Sequence, residues 1–289
     1  MRDAFAKELL GLADRDDRVV LLSGDIGNRL FDGFKTHHPD RFFNCGVAEA
    51  NMMSVAAGMA ACGLRPVVYT IVPFVTTRCL EQIRVDVCYH NVPVTIVGVG
   101  GGLAYAGLGA THHSCEDIAF LRMLPQMSVI CPGDAVETRL ALRAALAQDA
   151  PAYIRIGKKG EPVVHDAEPP FEIGKAITLC AGTDVALVST GNMLPTVLEA
   201  ARLLEQSNLS ATVVSMHTVK PLDEAILGDL FSSHAVVVTI EEHSRMGGLG
   251  GAVAEGLSEQ VRQKAPLVRI GTTDTILNDG GDQEHARRL

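Results

Sequence analysis

The chain has 289 residues, of which 47% are hydrophobic and 20% charged, with 25 Lys and Arg against 34 Asp and Glu. This length allows two domains, each with its own core. The net charge of −9 without a basic stripe argues against nucleic-acid binding, and no apolar run reaches the roughly 18 residues of a membrane helix. The N-terminus lacks a signal-peptide apolar block, and the seven cysteines show no CxxC spacing. We therefore expect a cytoplasmic α/β protein with reduced thiols that binds neither nucleic acid nor membranes.

Short β-branched runs alternate with longer amphipathic segments through the first half of the chain. The predicted helices are Ala4–Ala13, Ala48–Ala61, Thr76–His90, Glu116–Leu124 and Ala135–Ala147. The predicted strands are Val19–Leu22, Val67–Ile71, Val94–Val97, Ser128–Cys131 and Ala152–Ile156. Strands that are apolar on both faces and alternate with helices indicate a parallel sheet covered on both sides.

A polar segment with prolines, Gly157–Pro170, has no periodicity and is typical of a linker. The alternation then resumes with predicted strands Val185–Ser189, Ala211–Met216, Ala235–Ile240 and Leu267–Ile270. The predicted helices of this half are Leu194–Glu205, Asp223–Phe231 and Gly250–Lys264. We predict two doubly wound α/β domains, residues 1–165 with a mainly parallel sheet and a smaller domain over residues 166–289.

Two glycine clusters, Gly98–Leu103 and Gly247–Gly251, invite a nucleotide-binding interpretation. A dinucleotide fingerprint needs a strand that leads directly through the glycines into a helix. The first cluster leads into a long loop, and six residues separate the second from its strand. Tight turns and close backbone packing therefore explain both clusters better.

Residues 111–117 gather His112, His113, Cys115 and two carboxylates. Adjacent histidines in an extended segment point in opposite directions, so a single local metal site is not expected. One histidine at the mouth of a parallel sheet can act as a proton shuttle near neutral pH. Two solvated loop histidines remain the alternative, and Cys115 lacks a defined base that would make it a nucleophile.

Glu49 falls at the start of a predicted helix, where the helix dipole favours an anion. Its neighbours Val47, Ala50 and Met52 are apolar, which indicates a partly buried carboxylate. Such a group must be paired or hydrogen-bonded. On these residues alone, an exposed first-turn glutamate remains the alternative.

Residues Gly46–Met52 resemble the G-[VI]-x-E-x-x-[MA] motif of the transketolase family, and residues 39–68 also resemble 1-deoxyxylulose-5-phosphate synthase. Further segments resemble motifs of the same family, namely Phe74–Arg84, Thr111–His112, Val213–Asp223 and Thr239–Gly250. The resemblance covers about residues 1–275. It implies a pyrimidine-binding domain, a C-terminal domain, and thiamine diphosphate as the cofactor.

The resemblance also implies a role for individual residues. Glu49 would bind the pyrimidine ring nitrogen and promote the imino tautomer, which removes the proton from the thiazolium carbon. Phe74 would stack on the pyrimidine, and His112 would shuttle protons to substrate oxygens. Arg78 and Asp25 are further cofactor-binding candidates. Catalysis would thus rest on Glu49 and His112.

Several positions differ from the pattern of sugar-phosphate transketolases. Leu108 stands where the family has an aspartate that contacts donor hydroxyls, and His113 replaces a glutamine. Gly100 replaces a histidine, and Lys158 lies near the place of a phosphate-binding arginine. We treat His113, Leu108 and Lys158 as substrate-binding candidates, and Leu108 favours a donor with fewer hydroxyls.

Thiamine enzymes hold Mg²⁺ and the diphosphate through a GDG motif, and this sequence contains none. The resemblance therefore implies the C-terminal subunit of a split enzyme, active only with an N-terminal transketolase-like subunit. That partner would bind the diphosphate and supply the Mg²⁺ ligands, and this chain would supply none. A symmetric α2β2 heterotetramer, containing a self-dimer of this chain, is the expected assembly.

Three other functions remain open at this point. The loop Ala106–Ser114 also resembles the β subunits of 2-oxo-acid dehydrogenases. Use of pyruvate, as in 1-deoxyxylulose-5-phosphate synthase, is the second. A non-catalytic regulatory or scaffold subunit is the third, and it would not need Glu49, Phe74 and His112 together. The favoured function is ketol transfer from a ketose or related donor to an aldehyde.

Overall fold

Two β-sheets organise the computed structural model, which describes residues 1–27, 29–258, 265–278 and 281–289. The strands are β1 Val19–Ser23, β2 Phe42–Asn44, β3 Arg65–Ile71, β4 Thr95–Val99, β5 Ser128–Ile130, β6 Ala152–Ile156, β7 Ile177–Cys180, β8 Val185–Ser189, β9 Ala211–Ser215, β10 Thr218–Lys220, β11 Val236–Ser244 and β12 Leu267–Thr272. The helices are α1 Arg2–Ala13, α2 Asp32–His37, α3 Glu49–Ala61, α4 Val72–Val75, α5 Leu80–Gln82, α6 Asp117–Arg122, α7 Ala135–Ala147, α8 Leu194–Gln206, α9 Glu224–Ser233, α10 Leu249–Ser258 and α11 Gln283–Ala286.

Both sheets are mainly parallel. Within the described residues, the first sheet has seven strands in the order β10-β5-β6-β4-β3-β1-β2, and the second has five in the order β12-β11-β8-β9-β7. Neighbouring strands run parallel except at β10 with β5 and at β7 with β9. The predicted fold class, two α/β domains with mainly parallel sheets, is confirmed.

Helices cover both faces of the first sheet, which is why its strands are continuous apolar runs. On one face, Phe5 and Leu9 of α1 and Leu142 of α7 lie in one buried cluster. On the other face, Met52 of α3 and Ile83 lie in a second cluster. No helix in the described ranges is long and apolar enough to cross a bilayer.

The helix predicted over Thr76–His90 is present as a helical run over residues 77–89, but it is not one regular α-helix. It consists of a 3₁₀ turn over Thr77–Cys79, α5 and a π-helical segment over Ile83–Tyr89. Thr76, with φ of −111° and ψ of −80°, separates this run from α4, and its hydroxyl donates to the Val72 carbonyl at 2.7 Å. Phe74 of α4 and Arg78 of the 3₁₀ turn therefore lie on either side of Thr76.

Three short strands were not predicted: β2, β7 and β10. Strand β7 lies at a sheet edge and has only four residues, whose burial alternates. Its apolar pattern in the sequence is therefore too short to predict a strand. Strand β10 belongs to the second half of the chain but pairs with β5 of the first sheet. The first sheet therefore contains strands from both halves. The predicted helix Gly250–Lys264 corresponds to α10, and its residues 259–264 lie outside the described residues.

The segment between β6 and β7 contains no described helix or strand, but it is anchored to the first domain. The Asp134 carboxylate caps α7 and also accepts the backbone N–H groups of Val164 and His165. Glu137 binds the His165 imidazole at 2.9 Å, and this hydrogen bond raises the pKa of His165. The domain boundary at residues 165 and 166 falls in this segment and stays a prediction.

A buried arginine forms an ion pair within the first half of the chain and also bonds the second half. Nε of Arg155 in β6 lies 2.9 Å from Oδ2 of Asp117, and both side chains are almost fully buried. The same guanidinium donates to the carbonyls of Ser114 and Glu242, and the Tyr153 hydroxyl donates to Asp117 at 2.6 Å. Asp117 begins α6, whereas Glu242 belongs to β11, so one side chain connects both sheets.

We expect Arg155→Met to lower the free energy of unfolding by about 3–5 kcal/mol, because it leaves a buried carboxylate without its cation. The exposed pair of Arg202 and Glu199 provides the control, since Arg202→Met should change stability by less than about 1 kcal/mol. Urea denaturation measures both. Equal stability of the two variants would show that the buried pair does not hold the domains together.

Burial shifts the pKa values of two β11 residues in opposite directions. Burial raises the pKa of Glu241 to about 7, although its carboxylate accepts N–H groups of Leu249 and Gly250. Burial lowers the pKa of His243 to about 4, against the pull of Asp117. From pH 4.5 to 7 the folded state alone holds the Glu241 proton, so stability falls as pH rises. From pH 4 to 6.5 the unfolded state alone holds the His243 proton, so stability rises.

These opposing contributions predict that the stability of Glu241→Gln relative to the wild type rises with pH. Between about 4.5 and 6.5 the variant lacks the contribution of Glu241 that falls with pH and keeps the contribution of His243 that rises. Urea midpoints across that range test this. Glu199→Gln, at an exposed site, should follow the wild type. Parallel curves for Glu241→Gln and the wild type would contradict the assignment.

Candidate active site

The site residues lie at the carboxyl ends of the parallel strands of the first sheet, where open α/β sheets bind ligands. Glu49 follows β2, and it begins α3 with only 1% of its surface exposed. Gly24, directly after β1, leaves room for it, because a Cβ atom there would lie 3.3 Å from Cγ of Glu49. The burial predicted for this carboxylate from its apolar neighbours is therefore observed.

Arg78 is the partner that the buried carboxylate requires. Its Nη1 donates to Oε2 of Glu49 at 2.8 Å, and its guanidinium carbon lies 4.3 Å from the centroid of the Phe74 ring. Within the described residues, no hydrogen bond is made to Oε1 of Glu49. One carboxylate oxygen is thus held by the protein while the other stays available.

His112 contacts two aromatic rings. Its ring centroid lies 5.2 Å from that of Phe74 and 6.0 Å from that of Tyr105, both in edge-on arrangements. The Thr111 hydroxyl lies 2.9 Å from Nδ1 of His112. Two rings and one hydroxyl therefore orient the imidazole, with Phe74 linking it to Arg78 and Glu49.

His113 makes different contacts from His112, although His112 lies in a turn and not in the expected extended segment. Its Nε2 lies 3.2 Å from the Ala106 carbonyl, and it lines a cavity of about 310 Å³ that also borders the C-terminal domain. Cys115 lines the same cavity, and burial raises the pKa of its thiol to about 12. This thiol is therefore protonated at neutral pH and is no nucleophile there.

The remaining candidates lie around the same edge. Leu108 is 56% exposed on the loop that carries His112. Nζ of Lys158, just after β6, lies 4.5 Å from the Tyr105 ring centroid. Asp25 adopts a left-handed backbone with φ of 55° and accepts a hydrogen bond from Nδ2 of Asn44 at 2.9 Å. The structure thus brings Lys158 to the Tyr105 ring, whereas Asp25 contacts the last residue of β2.

Sequence reasoning did not find two residues of this arrangement. Tyr105 contacts both His112 and Lys158, and its signal was an aromatic side chain within a glycine-rich loop of a chain with only four tyrosines. Thr70 of β3 is the other: its Oγ1 is buried without a hydrogen-bond partner in the described structure, beside Gly24. A threonine in a buried strand gives no such signal.

Two family models match this chain along most of its length. They are described as transketolase, pyrimidine binding domain, and transketolase, C-terminal domain, and they match residues 1–161 and 174–287. The chain belongs to the transketolase family. The resemblance seen in the sequence is therefore confirmed. Members of this family are generally thiamine-diphosphate-dependent transferases.

Several relatives are subunits or sections of transketolases. One subunit of the apulose-4-phosphate transketolase of Phocaeicola vulgatus is 36% identical, and a putative transketolase C-terminal section of Methanocaldococcus jannaschii is 37% identical. Each match covers 98% of this chain and 90% of the relative. A solved chain described as a split gene transketolase, inactive beta4 tetramer, superposes with a TM-score of 0.88 at 38% identity, covering 96% of this chain and 90% of that one.

A second group of relatives is longer than this chain. 1-Deoxy-D-xylulose-5-phosphate synthase of Azoarcus is 35% identical over 96% of this chain, but the match covers only 44% of that protein. A transketolase structure from Pichia stipitis, at 19% identity, superposes over this whole chain and 43% of its own with a TM-score of 0.81, which shows the shared fold. The chain is therefore related to transketolases and to this synthase alike, which identifies its family rather than one reaction.

The contribution of the ion pair between Glu49 and Arg78 to stability can be measured without the cofactor. We expect Arg78→Met to lower the free energy of unfolding by about 1–3 kcal/mol, less than for a fully buried pair because Arg78 is 45% exposed. Adding Glu49→Gln should restore much of this loss, since no buried charge then lacks a partner. Urea denaturation of the two single variants and the double variant measures the coupling. Additive effects would mean that the ion pair does not stabilise the site.

Proposed function

We propose that this chain is the pyrimidine-binding and C-terminal subunit of a split transketolase-like enzyme. The reaction would move a two-carbon ketol unit from a ketose or related donor to an aldehyde. One observation carries the proposal: Glu49, buried at the carboxyl edge of the sheet, is joined through Arg78 and Phe74 to the imidazole of His112. A regulatory or scaffold subunit would not need this linked set.

The residues present fit thiamine diphosphate. Oε1 of Glu49 has no hydrogen bond in the described structure and can bind a ring nitrogen. Beside it, the Thr70 hydroxyl is buried without a partner among the described residues, and the Phe74 ring offers a stacking surface. We propose Glu49 and Phe74 as the main cofactor contacts, with Arg78 and Asp25 supporting them. When bound, the cofactor would supply a nucleophilic carbon and an electron sink.

The protein's own part in ketol transfer is to orient the reactants and move protons. In a ketose donor the bond between C2 and C3 breaks, its electron pair stays with the two-carbon unit, and C3 leaves as an aldehyde after losing its hydroxyl proton. We propose that His112 accepts this proton and returns one to the acceptor oxygen when the new bond forms. Lys158 would attract an anionic group on the substrate, and Leu108 and His113 would shape the pocket.

We propose that a partner subunit completes the site. The sequence lacks the GDG motif, and relatives are named as a transketolase subunit or as a C-terminal section. The described residues hold no cluster of three or more His, Cys, Asp or Glu side chains suited to a metal ion, so the partner would provide the Mg²⁺ ligands. An α2β2 assembly with a self-dimer of this chain, and a cytoplasmic location, stay predictions.

Use of pyruvate in the manner of 1-deoxyxylulose-5-phosphate synthase is the second candidate. It is supported by the 35% identity to such a synthase and by Leu108, which cannot bind a donor hydroxyl. The β subunit of a 2-oxo-acid dehydrogenase remains a further alternative, because the loop around His112 resembles that class too. The two differ from ketol transfer in their donor, and a donor panel separates them.

The test is reconstitution with a diphosphate-binding subunit encoded by a neighbouring reading frame. We expect the complex, with thiamine diphosphate and Mg²⁺, to transfer ketol units from a ketose phosphate or hydroxypyruvate, and this chain alone to be inactive. Glu49→Gln should lower kcat at least about 100-fold, whereas Glu199→Gln, on an exposed helix face, should not. Turnover by the chain alone, or pyruvate use without ketol transfer, would overturn the proposal.

A further inference from the structure

Residues 281–289, which contain α11, pack against the loop over residues 102–114, here called the His112 loop. Ala286 of α11 lies in one small buried cluster with Leu103 and Ala106 of that loop. Separating the two segments would expose these side chains to water, so the apolar contact favours one arrangement of them. The His112 loop is therefore supported by a segment that is distant from it in the sequence.

One buried carboxylate bonds both segments. Glu242 of β11 is only 4% exposed, and its Oε1 accepts a hydrogen bond from the Leu103 N–H at 2.7 Å. Nε2 of Gln283 donates to Oε1 at 2.8 Å and to Oε2 at 3.0 Å, and Nε of Arg287 also donates to Oε2. Asn192 adds a longer bond to Oε1 at 3.4 Å. Because a buried carboxylate needs such donors, the loop and residues 281–289 complete one hydrogen-bonded group.

The Glu242 carboxylate fits closely against the base of the His112 loop. A Cβ atom on Gly102 would lie 2.4 Å from Oε1 of Glu242, and Gly102 has φ of 66°, in the left-handed region that favours glycine. Gly102 also exchanges two backbone hydrogen bonds with Ser114, each 2.9 Å long. A carboxylate that moved would therefore disturb the two residues at which the loop begins and ends.

We propose that Gln283 and Arg287 are positioning residues for the His112 imidazole, because they hold the Glu242 carboxylate, which in turn holds the His112 loop. The inference rests on the proposed proton transfer by His112 and adds a segment of the second half of the chain to that site. Protons are transferred over hydrogen-bond distances, so a loop that is free to move slows the reaction more than it weakens substrate binding. Arg288, exposed and adjacent to Arg287, offers a matched control.

Hydrogen exchange followed by mass spectrometry tests the coupling of the two segments without any cofactor. In the full chain, Arg287→Met should raise the exchange rate of the His112 loop by about 10-fold and leave β4 and β6 unchanged. Gln283→Leu should act in the same direction, and Arg287→Lys should have a smaller effect because it keeps a cationic donor. Arg288→Met should have none. Unchanged exchange in the loop for both Arg287→Met and Gln283→Leu would overturn the inference.

The reconstituted complex tests the effect on catalysis. When kcat is expressed per bound thiamine diphosphate, so that unfolded chains are not counted, Arg287→Met should lower kcat about 10-fold and change KM by less than about twofold. Arg287→Lys should recover most of the loss, and Arg288→Met should match the wild type. Faster loop exchange with a normal kcat would make Gln283 and Arg287 merely structural and overturn the inference. A wild-type complex that transfers no ketol unit would overturn the proposed function, and the exchange data would then decide the structural coupling alone.

Discussion

The ion pair of Arg155 and Asp117 is the contact on which the arrangement of the molecule depends. It removes two charges from water, which is tolerable only when they are paired and hydrogen-bonded. Tyr153 and the carbonyls of Ser114 and Glu242 provide hydrogen bonds. Oδ1 of Asp117 makes no hydrogen bond among the described residues and lies 4.0 Å from Nε2 of His243. The pair therefore requires a strand of the first sheet, the loop before α6 and a strand of the second sheet to meet at one point.

That requirement reaches the candidate site through the backbone. Ser114 lies two residues after His112, and its N–H and carbonyl both pair with Gly102 at the start of the same loop. The loop is thus closed at its base and clamped there by Arg155. A histidine carried on a closed loop keeps its position relative to Phe74 better than one on a free loop, as proton transfer over hydrogen-bond distances demands.

The sequence predicts what depends on local pattern and misses what depends on distant contacts. Helix α7 and strands β6 and β8 begin and end where predicted, because long apolar periodicity defines them. Strand β10 has three residues and exists only because β5 offers an edge. The helix predicted over Thr76–His90 forms over residues 77–89 but passes through 3₁₀, α and π geometry, and its Arg78 bonds Glu49. No local pattern reveals this contact. The same division holds within the site, where Glu49, Phe74 and His112 carry recognisable motifs and the structure groups them. Tyr105 carries none, because its ring has room beside His112 only where Gly100, five residues earlier, lacks a side chain.

Arg78 explains how half of a site can be stable by itself. A buried carboxylate without a partner strongly destabilises a fold, and in the split enzyme proposed above the cofactor would bind only after the partner subunit joins. Arg78 binds one oxygen of Glu49 and leaves the other available. Because nearly half of Arg78 is exposed, it can adjust when a ligand and a partner surface arrive. The pair therefore satisfies the carboxylate before assembly without blocking the contact that assembly would need.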